Sequence, residues 1–197
     1  MSLPMNEITR LEQLDLNRSY SYADYLMWKL KERVEIIKGK IVAMSPAPTR
    51  LHQRISMKLT AYFVSVFDNH DCQLYAAPFD VRLPDQNGQI KNVVQPDLCV
   101  ICDHSKLDDR GCIGAPDLVV EILSMGNSKR EIKHKFELYQ ESGVSEYWVV
   151  NPSQEYIQIY VLENGRYIGI APVSEGEIIT SVRFPHLSFS TAKLYEL

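Results

Sequence analysis

Glu121 is where the sequence first points to chemistry. It interrupts Leu118, Val119, Val120, Ile122 and Leu123, an apolar run of strand length that reads as buried on both faces. A carboxylate in such a strand is costly to bury, so it needs a cation, a proton or hydrogen-bond donors. A second acid, Asp97, follows Pro96 inside another apolar run, from Val93 to Cys102. Two carboxylates on neighbouring strands are what a hard divalent cation such as Mg²⁺ requires from a protein. The simpler assignment is that Asp97 caps a turn and Glu121 pairs with a basic side chain.

Lys135 is the candidate cation. If Ile132, Phe136, Tyr139 and Gly143 form the packing stripe of a helix, rotation of about 100° per residue sets Lys135 about 60° from the stripe's centre, close enough to lean over the sheet. Lys133, about 100° away, is expected in solvent, with Lys129 intermediate; a flanking lysine can also simply snorkel to the surface. Glu35 lies in an early hairpin, on the face opposite Val34 and Ile36, as a third acidic ligand or as part of an exposed face. His52 stands in the first turn of a helix, as a proton shuttle, a phosphate contact or a polar first-turn residue. Asp117 shares the side of Glu121, but four strand residues separate them by roughly 13 Å, too far to grip one ion.

The elements that must hold these residues follow from periodicity and punctuation. Ser21 to Asp24 is a capping box that opens a helix to about Lys31. Arg33 to Met44 is a hairpin turning at Lys38 and Gly39, and Thr49 caps a helix to about Asn69 with Leu51, Ile55, Leu59, Tyr62 and Val66 on one face. Cys72 to Leu83 reads as one strand and residues 92–102 as another, forming an antiparallel hairpin around the turn at 84–88. A polar loop from Asp103 to Gly114 precedes the Glu121 strand at 117–123. A helix at 129–141, a strand at 146–150, a hairpin around Asn164 and Gly165, and one or two edge strands complete the order. The expectation is one mixed α/β domain, residues 1–197, with a central sheet flanked by helices, an additional N-terminal hairpin and C-terminal strands.

Composition narrows the function classes. With 197 residues, 45% hydrophobic and 23% charged, the chain is neither disordered nor fibrous. No apolar run reaches the roughly 18 residues of a membrane span and the start carries no secretory core, so no membrane partner and a cytoplasmic location are expected. A net charge of −4 means that a polyanion must be held by a local basic patch. Cys72, Cys99, Cys102 and Cys112 include a C-x-x-C pair, but residues three apart on a strand face opposite ways and cannot share a zinc ion. They are read as small core residues in a reducing compartment. No phosphate-binding glycine loop, dinucleotide fingerprint, serine-hydrolase elbow or H-E-x-x-H is present.

Several long segments resemble the Uma-type family of restriction-endonuclease-like proteins. They run from Val94 to Cys102, from Asp108 to Ser124, from Lys135 to Tyr139 and from Gly143 to Pro152. That family resembles a branch of the PD-(D/E)XK nuclease superfamily, whose core is an α/β fold with a sheet flanked by helices. The resemblance implies that Pro96 and Asp97 form the PD half of the motif and Glu121 the acidic half, together ligating Mg²⁺, with Mn²⁺ as a substitute. The pattern then expects a lysine two residues after the glutamate, where this chain has Leu123. Lys135, from the next helix, is the matching replacement, and Glu35 and His52 match polar positions near the cleft. The implied activity is metal-dependent hydrolysis of phosphodiester bonds in nucleic acid, DNA first; two cuts on a duplex and the apolar C-terminal strands make a homodimer the expected state. A nuclease fold kept as an inactive binding or assembly module is the alternative.

Overall fold

The computed structural model describes residues 7–44, 47–124 and 129–196. Its first helix, α1 (Tyr22–Tyr25), is one turn long, shorter than the capping box suggests. The box itself forms, with Ser21 N donating to the Asp24 carboxylate at 2.8 Å. Propagation fails because the backbone beyond it is used elsewhere. Lys29 N donates to Ile8 O at 2.8 Å, and Ile8 and Trp28 form a bridge.

β1 (Val34–Ile37) and β2 (Lys40–Ala43) make the predicted hairpin. Lys38 and Gly39 turn it with φ of 50° and 75°, the double positive φ that a two-residue turn matching strand twist demands. α2 (Arg50–Phe67) begins at Thr49, whose hydroxyl accepts from His52 N at 3.2 Å. It buries Ile55, Leu59, Phe63 and Phe67.

The two long strands expected next are each divided. The first becomes β3 (Gln73–Ala76) and β4 (Val81–Pro84), the second β5 (Ile90–Val94) and β6 (Leu98–Ile101). Pro78 and Pro96 stand at the breaks, where a residue without an N–H cannot continue a ladder. β4 pairs with β5 and β3 with β6, both antiparallel, but in different sheets. The expected hairpin is therefore real, and its arms pass from one sheet into the other. Asp97 sits at that passage.

The polar loop after β6 contains two short strands, β7 (Leu107–Asp108) and β8 (Gly111–Ile113). β9 (Leu118–Ile122), α3 (Lys129–Ser142) and β10 (Glu146–Asn151) follow as a parallel crossover unit, with Gly143 ending the helix at φ 87°. β11 (Tyr156–Glu163) and β12 (Arg166–Gly169) turn at Asn164 and Gly165. β13 (Val173–Ser174), β14 (Ile178–Thr180) and β15 (Ser188–Ser190) end the chain's strands.

One sheet runs β2, β1, β5, β4, β8, β7. The larger runs β12, β11, β10, β9, β6, β3, with β13 also pairing β11, while β14 and β15 form a small third sheet. Alternation along the larger sheet sorts its side chains onto two cores. Leu98, Val100, Leu118, Val120, Trp148 and Val150 pack with α2 and the C-terminal segment. Cys99, Ile101, Val119, Tyr147 and Val149 face Leu138 and Tyr139 of α3 and the smaller sheet. The larger sheet is thus a middle layer with a helix on each face.

The cysteine reading needs correction. Cys72 and Cys102 form a disulfide, and only Cys99 and Cys112 are free buried thiols. The two partners flank the paired strands β3 and β6, one residue outside the Gln73 and Ile101 pair, so the antiparallel register brings them side by side. Among the described residues no helix is long and apolar enough to cross a membrane.

Candidate active site

Register delivers the two acids. β6 and β9 pair Leu98 with Val120, and one further step sets Asp97 opposite Glu121. Asp97 is fixed by its neighbours: Ile122 N donates to Oδ2 at 2.7 Å, and His52 Nε2 lies 3.3 Å from Oδ1. His52 reaches this point from the first turn of α2. Glu121 alternates with Val120 and Ile122 and therefore points, with Val119, toward α3 rather than α2.

On α3, Lys135 and Tyr139 stand one turn apart on the same face. Both converge on one oxygen of Glu121, Lys135 Nζ at 2.8 Å and the Tyr139 hydroxyl at 2.7 Å. The same ammonium lies 3.0 Å from Oε1 of Glu35, which also accepts from Gln95 N at 2.9 Å. Glu35 arrives from the smaller sheet, on the face of β1 opposite Ile36, and it is buried. All five candidate residues, Asp97, Glu121, Lys135, Glu35 and His52, line one cleft of about 230 Å³. The cleft opens where the two sheets and the first turns of α2 and α3 meet. Leu123, at the position where the motif expects lysine, lines it as well.

The neighbouring acids and bases fall where the geometry above separates them. Lys133 is exposed and 3.7 Å from Glu137, and Lys129 is exposed. Asp117 lies at the other end of β9, accepting from Cys102 N at 2.9 Å and meeting Arg183 at 3.3 Å. Sequence reasoning missed Tyr139, which it assigned to packing, and Gln95. The available signal for Tyr139 was its i+4 spacing from Lys135.

Burial governs the electrostatics. It pushes the Glu121 carboxyl up; Lys135 opposes this, Asp97 and Glu35 add to it, and the pKa is raised from 4.5 to about 7. For Lys135, burial favours the neutral amine, but Glu121 and Glu35 outweigh it and hold the ammonium charged. Burial lowers and the hydrogen bond and charge of Asp97 raise the His52 imidazole, with a net upward shift. Burial, then Glu121 and Glu35, keep the Tyr139 hydroxyl protonated, so it can only donate to a charged Glu121.

The donor set fits a hard cation of low protein coordination. Glu35 and Glu121 meet Lys135, Asp97 meets His52 and stands opposite Glu121 in the register, and Asp97 raises the pKa of Glu121 by repulsion that a cation would relieve. Among the described residues no three His, Cys, Asp or Glu side chains converge as a ready metal cluster. An ion here would take Asp97 and Glu121 and complete its shell with water, the habit of Mg²⁺.

Comparison with known proteins bears on this arrangement. Residues 22–192 match the family model Uma2, described as "Putative restriction endonuclease". Among solved structures the chain is similar to a "putative nuclease belonging to DUF820" from Anabaena variabilis ATCC 29413. The two share 19% identity with a TM-score of 0.69, over 89% of this chain and 97% of that one. At that identity the likeness is one of fold, and it agrees with the restriction-endonuclease-like architecture expected from sequence. None of the curated proteins matches.

Proposed function

The chain belongs to the Uma2 family of restriction-endonuclease-like proteins, and from that premise we propose that it hydrolyses phosphodiester bonds of nucleic acid, DNA first, with Mg²⁺ or Mn²⁺. The observation that carries this reading is the Lys135 ammonium, 2.8 Å from Glu121 and 3.0 Å from Glu35, in a chain whose motif lysine is replaced by Leu123. Asp97 and Glu121 would hold the cation, which when bound supplies Lewis-acid polarisation of the scissile phosphate and a water of lowered pKa. Lys135 orients the attacking water and offsets charge on the five-coordinate phosphorus. Glu35 keeps that ammonium charged and in place. His52 anchors Asp97 through Nε2 and adds a positive charge beside the acids when protonated.

A homodimer belongs to the same reading, since two strands of a duplex need two sites. It is supported by the exposed apolar side chains of the C-terminal region, Ile168, Ile170, Ile178 and Val182. We take residues 1–197 as one domain. The cytoplasmic assignment rests on the sequence expectation alone, and the disulfide removes one of its supports.

A second reading has one observation in its favour. Lys135 and Tyr139 already satisfy an oxygen of Glu121, as a fold kept for binding or assembly would require of a buried acid. Titration calorimetry of Mg²⁺ and Mn²⁺ into wild type and Glu121→Ala, followed by incubation with single- and double-stranded DNA and RNA, separates the two. The nuclease reading expects metal binding and cleavage that disappear together in the variant. Wild-type protein that binds no metal and cuts nothing would establish the second reading. Retained cleavage by Asp97→Ala would remove the proposed site.

A further inference from the structure

The cleft carries Glu35, Asp97, Glu121 and Glu131 beside Arg33 and Lys135, so its own charges give a polyanion little net attraction and its affinity must come from cations nearby. Helix α2 is the element of strongest single sign beside it. Its 18 residues include Arg50, His52, Arg54 and Lys58 and no acid, in a chain where acids outnumber bases 25 to 21. Arg50, Arg54 and Lys58 recur at intervals of four, on one face.

Some arginines of the chain are already taken up by acids. Arg18, Arg82 and Arg183 each meet an aspartate. Arg50 and Arg54 are exposed and, among the described residues, form no ion pair. Lys58 is tethered to the backbone oxygens of Lys193 and Glu196. The face is continuous with the site: Gln53 lines both the cleft and the shallow groove formed by Arg50, Arg54, Met57 and Lys58. One residue before Gln53, His52 touches Asp97.

We propose that this face of α2 is the surface along which the phosphate backbone of a nucleic acid lies as it enters the cleft, held by Arg50 and Arg54. The inference rests on the nuclease reading for its direction and extends it to named contacts. Charge complementarity decides against a second copy of this chain as the occupant. A two-fold contact of α2 on α2 would oppose arginines with no acid on the helix to answer them.

The test is fluorescence anisotropy in EDTA with labelled single strands and duplexes of DNA and RNA, across a salt series. Replacing Arg50 and Arg54 together by Ala should weaken binding tenfold or more and make the slope of log K against log salt shallower by about two, one per lost phosphate contact. The Arg50→Lys/Arg54→Lys pair keeps the charge and should keep the slope. Arg166→Ala, an exposed cation on β12, should change nothing. Circular dichroism checks that each variant folds. Binding by wild type with an unchanged affinity and slope in the alanine pair overturns the inference, as does wild type that binds no nucleic acid. A variant that alters sedimentation mass in place of binding overturns it in favour of a subunit contact. Cleavage is followed separately with Mg²⁺: binding through α2 without any hydrolysis sinks the nuclease reading alone, and hydrolysis with an unchanged slope sinks this one alone.

Discussion

The Tyr139 hydroxyl and the Lys135 ammonium meet the same oxygen of Glu121, at 2.7 and 2.8 Å. One helical turn therefore presents a neutral donor and a charged donor to one buried acid. This division leaves the orientation of Glu121 dependent on α3 rather than on its own strand. Tyr139→Phe deletes the neutral donor while keeping the ring against Tyr147. The expected cost is about 1–3 kcal/mol, the range for a buried polar group deprived of a partner, read from urea denaturation.

Lys135→Ala is expected to be worse for stability than for metal binding. It leaves Glu35 and Glu121 buried without their shared cation, a loss of about 3–5 kcal/mol. Adding Glu121→Gln should recover part of it, so the double-mutant cycle will show strong coupling. Mg²⁺ affinity of the single variant is expected to survive, while turnover falls about 10²- to 10³-fold. Full turnover in Lys135→Ala would rule out its assignment as the replacement lysine.

The raised Glu121 pKa sets a pH dependence of definite sign. The folded state holds this proton up to about 7, whereas the reference value is 4.5. The group's contribution to stability is therefore fully present below 4.5 and is lost as pH rises to about 7. His52, also shifted upward, adds a loss of the same sign at higher pH. Denaturation midpoints in EDTA should fall between pH 4.5 and 7 for wild type and less steeply for Glu121→Gln. Mg²⁺ affinity should climb over the same interval, because the cation needs the ionised carboxylate.

The disulfide between Cys72 and Cys102 spans 30 positions of sequence. A closed loop of that length stabilises by about 3.5 kcal/mol through the chain entropy of the unfolded state. Reduction, or Cys72→Ser with Cys102→Ser, should lower the denaturation midpoint accordingly, and thiol titration of the unreduced, denatured chain should count two free thiols, Cys99 and Cys112.

The parts of the site that were legible in sequence are those with a local signature. Glu121 stands out as a lone carboxylate in an apolar strand; helix rotation lets Lys135 lean inward without excluding a surface place, and strand alternation leaves Glu35 open between a ligand and an exposed face, so the resemblance is what joins both to the cleft. The divided strands were not legible as such, because the run from Val93 to Cys102 is apolar on both sides of Gln95, Pro96 and Asp97, and Pro96 signals only a break, not a change of sheet. Cys72 and Cys102 are distant in sequence and meet only through the β3 and β6 register. Tyr139 looked like core because it is core: its ring packs while its hydroxyl, at the far end, serves the acid. Long-range pairing decides the divided strands and the disulfide, and no local period encodes it.

The contact between Lys135 and Glu35 joins residues 100 positions apart and links the smaller sheet to the helix that crosses over the larger one. Such a contact forms only after the chain between has been closed into a loop, an ordering that entropy disfavours until both sheets exist. The ammonium sits between its two carboxylates only where both sheets are in position: its contact with Glu121 spans 14 positions and belongs to one crossover unit, whereas its contact with Glu35 depends on the smaller sheet staying docked.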